Sequence, residues 1–161
     1  MDRLSPDTSE YDLAHDRFVL RLGIKYFLNQ AALLAEPFGG DVLLAVTFLT
    51  INTGNLRDLN GASTFNPQAV EGVIPDGMRR SVTIAAVSRE LGIPRETVRR
   101  YVNRLIEMGF CRATGARGVM VPSEVLKSEA MNAVAQKHGA FARDLMGALN
   151  DAHAPVGDQP A

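Results

Sequence analysis

Nine arginines and no lysine stand between residues 79 and 117: Arg79, Arg80, Arg89, Arg95, Arg99, Arg100, Arg104, Arg112 and Arg117. A guanidinium is a permanent cation whose planar fork of donors suits paired oxygens on a phosphate or carboxylate. Only Glu90, Glu96 and Glu107 oppose them, so the segment carries 9 − 3 = +6. The other residues hold 8 bases and 15 acids, or −7, and the total is −1. The near-zero total therefore hides an asymmetry of the kind that an anionic partner requires.

Other chemistry is thinly represented. The single cysteine, Cys111, excludes an internal disulfide and suggests a reducing compartment. Beside Phe110 at the start of a predicted strand it reads as a buried, inert thiol. A redox role would need exposure, with Arg112 next door to lower its pKa. His15, His138 and His153 lack metal-ligand spacing. No nucleophile–base pair, phosphate loop or carboxylate constellation stands out, and "GARG" signals only a turn. The expectation is a protein with no catalytic site, no cofactor and no metal.

Composition sets the frame for these residues. An apolar fraction of 46% and a charged fraction of 22% are ordinary for a globular protein. The first ten residues are polar and read as a loose arm, not a secretory signal. The run "VLLAVTFLTINTGNL" at 42–56 is too short for a membrane span. The expected address is the cytoplasm, without a membrane partner.

The elements that must position the arginines follow from periodicity. Dense apolar residues from Tyr11 to Glu36 predict one helix, ended by "EPFGG". Asp41 suits the N-cap of a second, central helix over roughly 42–59. Residues 60–80 form a long connection, with Phe65, Val70, Val73 and Ile74 partly packed down. Thr83 can cap a third helix, which Gly92 ends in the left-handed conformation. Pro94 suits the first turn of a fourth, over 94–108. On a wheel with Val98 at zero, Val102, Leu105, Tyr101 and Ile106 form a buried stripe. Glu96, Arg99, Arg100, Asn103 and Arg104 lie on the far side. Residues 110–121 then read as a β-hairpin. Ser123 can cap a last helix over 124–150, which Gly139 can bend or divide in two. Val134, His138, Phe141, Leu145 and Leu149 recur there at heptad-like spacing, as a dimer seam. The tail from Ala152 is polar.

The stretch "TIAAVSRELGIPRETVRRYVNRLIEMGFCRATGARGVMVP" at 83–122 resembles the winged helix-turn-helix of bacterial regulators, including the families called GntR and MarR. The resemblance covers about a quarter of the chain. It departs from the pattern at Ser88, where alanine is usual, and in the long 60–80 connection. It implies a mostly α-helical fold with a three-helix core, a β-hairpin wing, and additional N- and C-terminal helices. The segments would be 1–40, a helical extension; 41–122, the winged module; and 123–161, a dimerising helical segment and polar tail.

The same resemblance implies a homodimer that binds double-stranded DNA in a sequence-specific manner and regulates transcription. The 94–108 helix would enter the major groove. Arg95, Glu96, Arg99, Arg100 and Asn103 would meet base edges. Arg79, Arg80, Thr83, Thr97, Arg104, Arg112 and Arg117 would meet phosphates, with the wing on the backbone. Two half-sites would lie about 10 base pairs apart.

Several blander readings stand beside these. An arginine-rich face is also what a solvated helix shows. Some winged modules assemble with proteins and read no DNA. Glu96 can simply pair with Arg99 or Arg100. His138 on its apolar seam reads as packing or an interface hydrogen bond. Tyr11, Phe18, Tyr26 and Phe27 can be core or dimer contacts, or can line a small-molecule effector pocket between helices at 11–59 and 124–150.

Overall fold

The computed structural model describes residues 8–59, 69–115 and 117–153. The chain divides into two units, Met1–Leu33 with Ala135–Ala161, and Leu34–Val134. Of the arm expected over residues 1–10, residues 8–10 belong to a helix that begins at Thr8; residues 1–7, most of the tail and Phe65 lie outside the described residues.

The Leu34–Val134 unit is built on helix α2 (Val42–Asn55). Asp41 starts it, as its carboxylate accepts the Leu44 N–H at 3.0 Å. Strand β1 (Val82–Thr83) leads into α3 (Ile84–Leu91). The Thr83 hydroxyl caps α3 at the Ala86 N–H, and Gly92 ends it at φ 67°. Helix α4 (Arg95–Glu107) follows, with Pro94 at its N-cap, one residue earlier than the first-turn position expected for it. Strands β2 (Arg112–Thr114) and β3 (Gly118–Met120) make the hairpin.

The sheet has three antiparallel strands in the order β1-β3-β2. Val82 pairs with Val119 and Thr83 with Gly118, while Ala113 faces Val119 from the other side. Two residues are too few to show alternation, so β1 is invisible in the sequence. Gly54 makes room for it: a Cβ there would meet Val82 Cγ1 at 2.6 Å.

The core of this unit joins all its layers. Leu44, Phe48 and Ile51 of α2 meet Val87 of α3, Val98, Val102 and Leu105 of α4, and Val119 and Val121. Phe38, Phe48 and Phe110 form an aromatic cluster with centroids 4.7 to 5.9 Å apart. The unit extends past the expected 41–122 limits because Ala35, Phe38, Val125, Leu126 and Met131 pack on the same core. The described part of the long connection is packed in part: Ile74 is buried, Val73 half-buried and Val70 exposed.

The chain after the hairpin breaks where no break was expected. Helix α5 (Ser123–Leu126) is a single short turn capped by Pro122. Helix α6 (Glu129–His153) then starts at Ser128, whose hydroxyl accepts the Met131 N–H. It continues unbroken through Gly139.

The other unit pairs residues of the long helix α1 (Thr8–Ala35) with residues of α6. Gln30 is buried, and its Oε1 lies 2.5 Å from His138 Nδ1. Leu22, Tyr26 and Asn29 share a groove of about 310 Å³ with Phe141, Leu145 and Ala148. Among the described residues one stretch, Leu13–Phe38, is long and apolar enough to cross a membrane by length and composition, which the sequence analysis does not anticipate.

Candidate nucleic-acid interface

Helix α4 carries its two chemistries on opposite sides. Val98 and Leu105 are fully buried and Val102 nearly so, with Tyr101 and Ile106 half-buried beside them. This is the stripe expected from the 100° wheel. Arg95, Glu96, Arg99, Arg100, Asn103 and Arg104 are all exposed. Burial of the apolar stripe thus fixes the rotation of the helix and turns a polar face outward.

Within that face Arg99 pairs with Glu96 at 3.1 Å across one turn. The pair is exposed, so it adds little stability, and it orients two of the polar side chains. Arg104 is held differently. Its guanidinium reaches Asp41 at 2.8 Å, tying α4 to the cap of α2.

The turn before α4 is fastened by a residue whose type departs from the usual pattern. Ser88 Oγ donates to the Ile93 carbonyl at 2.7 Å. An alanine would leave that bond unmade, so the serine has a role that its small size alone did not suggest. Arg89 and Arg95 flank a shallow depression floored by Ala85 and Ser88. Arg89, also in the arginine-dense segment, is exposed and so joins the candidate cations, although no spacing points to it.

On the hairpin, Arg117 is exposed at the tip and Arg112 is exposed on β2. Arg112 is paired with Asp76 at 2.8 Å. The other Asp76 oxygen accepts the Ser123 N–H at 2.7 Å. Partial burial pushes the Asp76 pKa up, but the Ser123 bonds and the charges of Arg112 and Arg79 outweigh it. The net shift is downward. Asp76 therefore stays ionised and pins the base of the hairpin to the segment after it.

Arg79 is the correction to the expected phosphate contacts. It is 7% exposed. Its Nε donates to the Ile74 carbonyl at 2.9 Å, and one terminal nitrogen reaches Asn52 Oδ1 and the Val121 carbonyl. Burial lowers its pKa and Asp76 partly restores it. Nε and one terminal nitrogen are thus engaged inside the fold, and the side chain is buried where the expected contact would need it at the surface. Arg80, the next residue, is exposed. Thr83 is exposed at the start of α3 and Thr97 half-buried in the first turn of α4.

The residues of the expected dimer seam lie on α6, and several of them meet other parts of the same chain. Val134 belongs to the Leu34–Val134 unit and is buried. His138, Phe141 and Leu145 turn toward the chain's own α1 through Gln30 and the shared groove, and Leu149 is half-buried. Of the aromatic residues considered for an effector pocket, Tyr26 lines that groove, while Phe18 and Phe27 are exposed. Cys111 is buried, and burial pushes its thiol up to about 12, so it carries no thiolate at neutral pH.

The comparison with protein families decides what the α3–α4 pair is. The model described as the IclR helix-turn-helix domain matches residues 76–115, about a quarter of the chain. The chain is a DNA-binding transcription regulator of the winged helix-turn-helix type. The matched model is of neither the GntR nor the MarR family. No curated protein and no solved structure matches the chain.

The helix-turn-helix spans α3 and α4, and the β2–β3 hairpin after it stands where such a module carries its wing. The match begins at Asp76, so it takes in the carboxylate that braces the hairpin. One residue that the module needs gave no sequence signal at all. Asn55 is 1% exposed at the end of α2. Its amide donates to the Arg80 and Val119 carbonyls, and its oxygen accepts the Val121 N–H at 2.9 Å. It clamps the helix to the sheet on both sides of β3.

Proposed function

We propose that two copies of this regulator read a two-part DNA site, each placing α4 in the major groove and the β2–β3 wing against the backbone. The observation that carries this reading is the exposed polar face of α4, held outward by the burial of Val98, Val102 and Leu105. Arg95, Arg99 and Arg100 offer paired donors for guanine O6 and N7. Asn103 suits adenine, and Glu96 can accept from the cytosine amino group.

Arg80, Arg104, Arg112 and Arg117 meet phosphates in this reading, with Thr83 and Thr97 near helix starts. Arg89 joins them through the depression that it shares with Arg95. Arg104 and Arg112 must then exchange Asp41 and Asp76 for phosphate, or share them. The regulator works in the cytoplasm.

Selection of random duplexes by the purified chain tests the reading. Enrichment of a palindrome with half-sites about 10 base pairs apart is expected. Recovery of duplexes without any enriched sequence would remove base reading and favour a winged module that assembles with an acidic protein.

A further inference from the structure

Helix α1 has two different faces. Leu22, Tyr26, Asn29 and Gln30 face α6. On a wheel with Leu20 at zero, these lie between about 180° and 280°. The opposite side, within about 80° of Leu20, carries Leu13, Leu20, Ile24, Phe27 and Leu28. These five are 49%, 60%, 50%, 67% and 60% exposed. A contiguous apolar stripe of this kind marks an interaction surface.

The spacing indicates what covers it. Leu13, Leu20 and Phe27 recur every seven residues, and so do Arg17, Ile24 and Ala31. The first set takes the d positions of a heptad and the second the a positions. Leucine at d with a β-branched residue at a favours two parallel strands. A single polar or basic residue at a, here Arg17, sets register and oligomeric state.

The flanks agree. Asp16 falls at g and Arg21 at the following e. In a parallel pair these two positions face each other across the seam, so Asp16 of each copy meets Arg21 of the other. Arg21 lies over the Phe18 ring at 5.9 Å, which holds its guanidinium beside the stripe.

A membrane is a poorer occupant. Asp16, Arg17, Arg21 and Lys25 lie along the middle of α1, and its other face is packed on α6. Residues of α6 such as Lys137, Arg143 and Asp144 would have to follow it into hydrocarbon.

We propose that the Leu13–Leu20–Ile24–Phe27 stripe of α1 pairs with the same stripe of a second copy as a parallel two-stranded coiled coil. This deepens the two-copy DNA reading and draws its use from it. It also moves the seam from α6 to the free side of α1.

The test is sedimentation equilibrium of the full chain across the micromolar range. The wild type should sediment at twice the 17.4 kDa chain mass. Leu20→Asp should be a monomer with unchanged helical circular dichroism. Asp16→Arg and Arg21→Asp should each weaken dimerisation about tenfold, and the two together should restore it. A monomeric wild type overturns the proposal, as does a dimer indifferent to Leu20→Asp. Failure of the double charge swap to restore pairing overturns the parallel arrangement. Flotation of a monomeric wild type with phosphatidylglycerol-containing vesicles would assign the stripe to a membrane surface. The DNA reading is scored separately: Leu20→Asp should keep wild-type affinity for a duplex with one half-site. A dimer that binds no duplex would sink that reading alone.

Discussion

The Arg99 guanidinium lies 3.1 Å from the Glu96 carboxylate, on the exposed face of the helix whose other side is the core. The pair stands where base edges would be met, and each member alters what the other can do. Paired with Glu96, Arg99 is held in one orientation. Released, it is a long cation able to find any phosphate. Arg99→Ala should therefore cost about 1–3 kcal/mol of specific affinity and blur the preference at one position. Glu96→Ala should act differently, raising affinity for unrelated sequences as one acid is removed from the interface. Binding titrations against the selected site and a scrambled duplex measure both. Equal losses on both duplexes for Arg99→Ala would place this residue on the backbone.

Arg79 and Arg117 carry the same charge and should give opposite phenotypes. Arg117 is exposed at the wing tip, so Arg117→Ala should weaken all duplexes alike. It should also lower the slope of log affinity against log salt by about 1. Arg79 is consumed by Ile74, Asn52 and Val121. Arg79→Ala leaves those buried acceptors unpaired and should cost about 3 kcal/mol of stability. Urea denaturation reads the second effect and a salt titration the first. A stable Arg79→Ala protein with a reduced salt slope would return Arg79 to the phosphate contacts.

Asn55→Ala should destabilise the winged module by about 3 kcal/mol, since it removes three hydrogen bonds around β3 and leaves buried groups bare. Hydrogen exchange should show the loss first at the Val121 N–H. A variant with wild-type stability and protection at Val121 would mean that water replaces the amide without cost.

What the sequence reveals here depends on whether a feature is local. The buried stripe of α4, the Asp41 and Thr83 caps and the Gly92 stop each repeat within a few residues, and the structure has them where periodicity and capping chemistry predict. Strand β1 is two residues long and exists only because β3 is there to pair with it. Asn55 and Arg79 make bonds to residues between 25 and 66 positions away, or to the Val121 and Ile74 backbone, and no spacing reports that. An arginine run looks the same whether a member faces solvent or the core, so the sequence does not separate buried Arg79 from exposed Arg80. The α6 heptad was visible and its occupant was not: the same spacing serves α1 of the same chain as well as a second chain.

The pH dependence of stability should expose Asp76. Its folded pKa lies below the ordinary 3.8 because Ser123, Arg112 and Arg79 favour the carboxylate more than partial burial opposes it. For a depressed acid, the stabilisation is complete above the unfolded value and is lost as pH falls through the folded one. Between neutrality and about pH 5 Asp76 should therefore contribute a constant amount, about 1–2 kcal/mol over Asp76→Asn. Below about pH 4 the two proteins should converge, as protonation removes the charge that pairs with Arg112 and strengthens the bond from the Ser123 N–H. Urea melts of both proteins over that range give the difference directly. A gap that stayed constant into acid would assign the effect of Asp76→Asn to packing and remove the charge from the hairpin's support. A gap that closes in acid would show that Arg112 on the hairpin is braced by an ionised carboxylate.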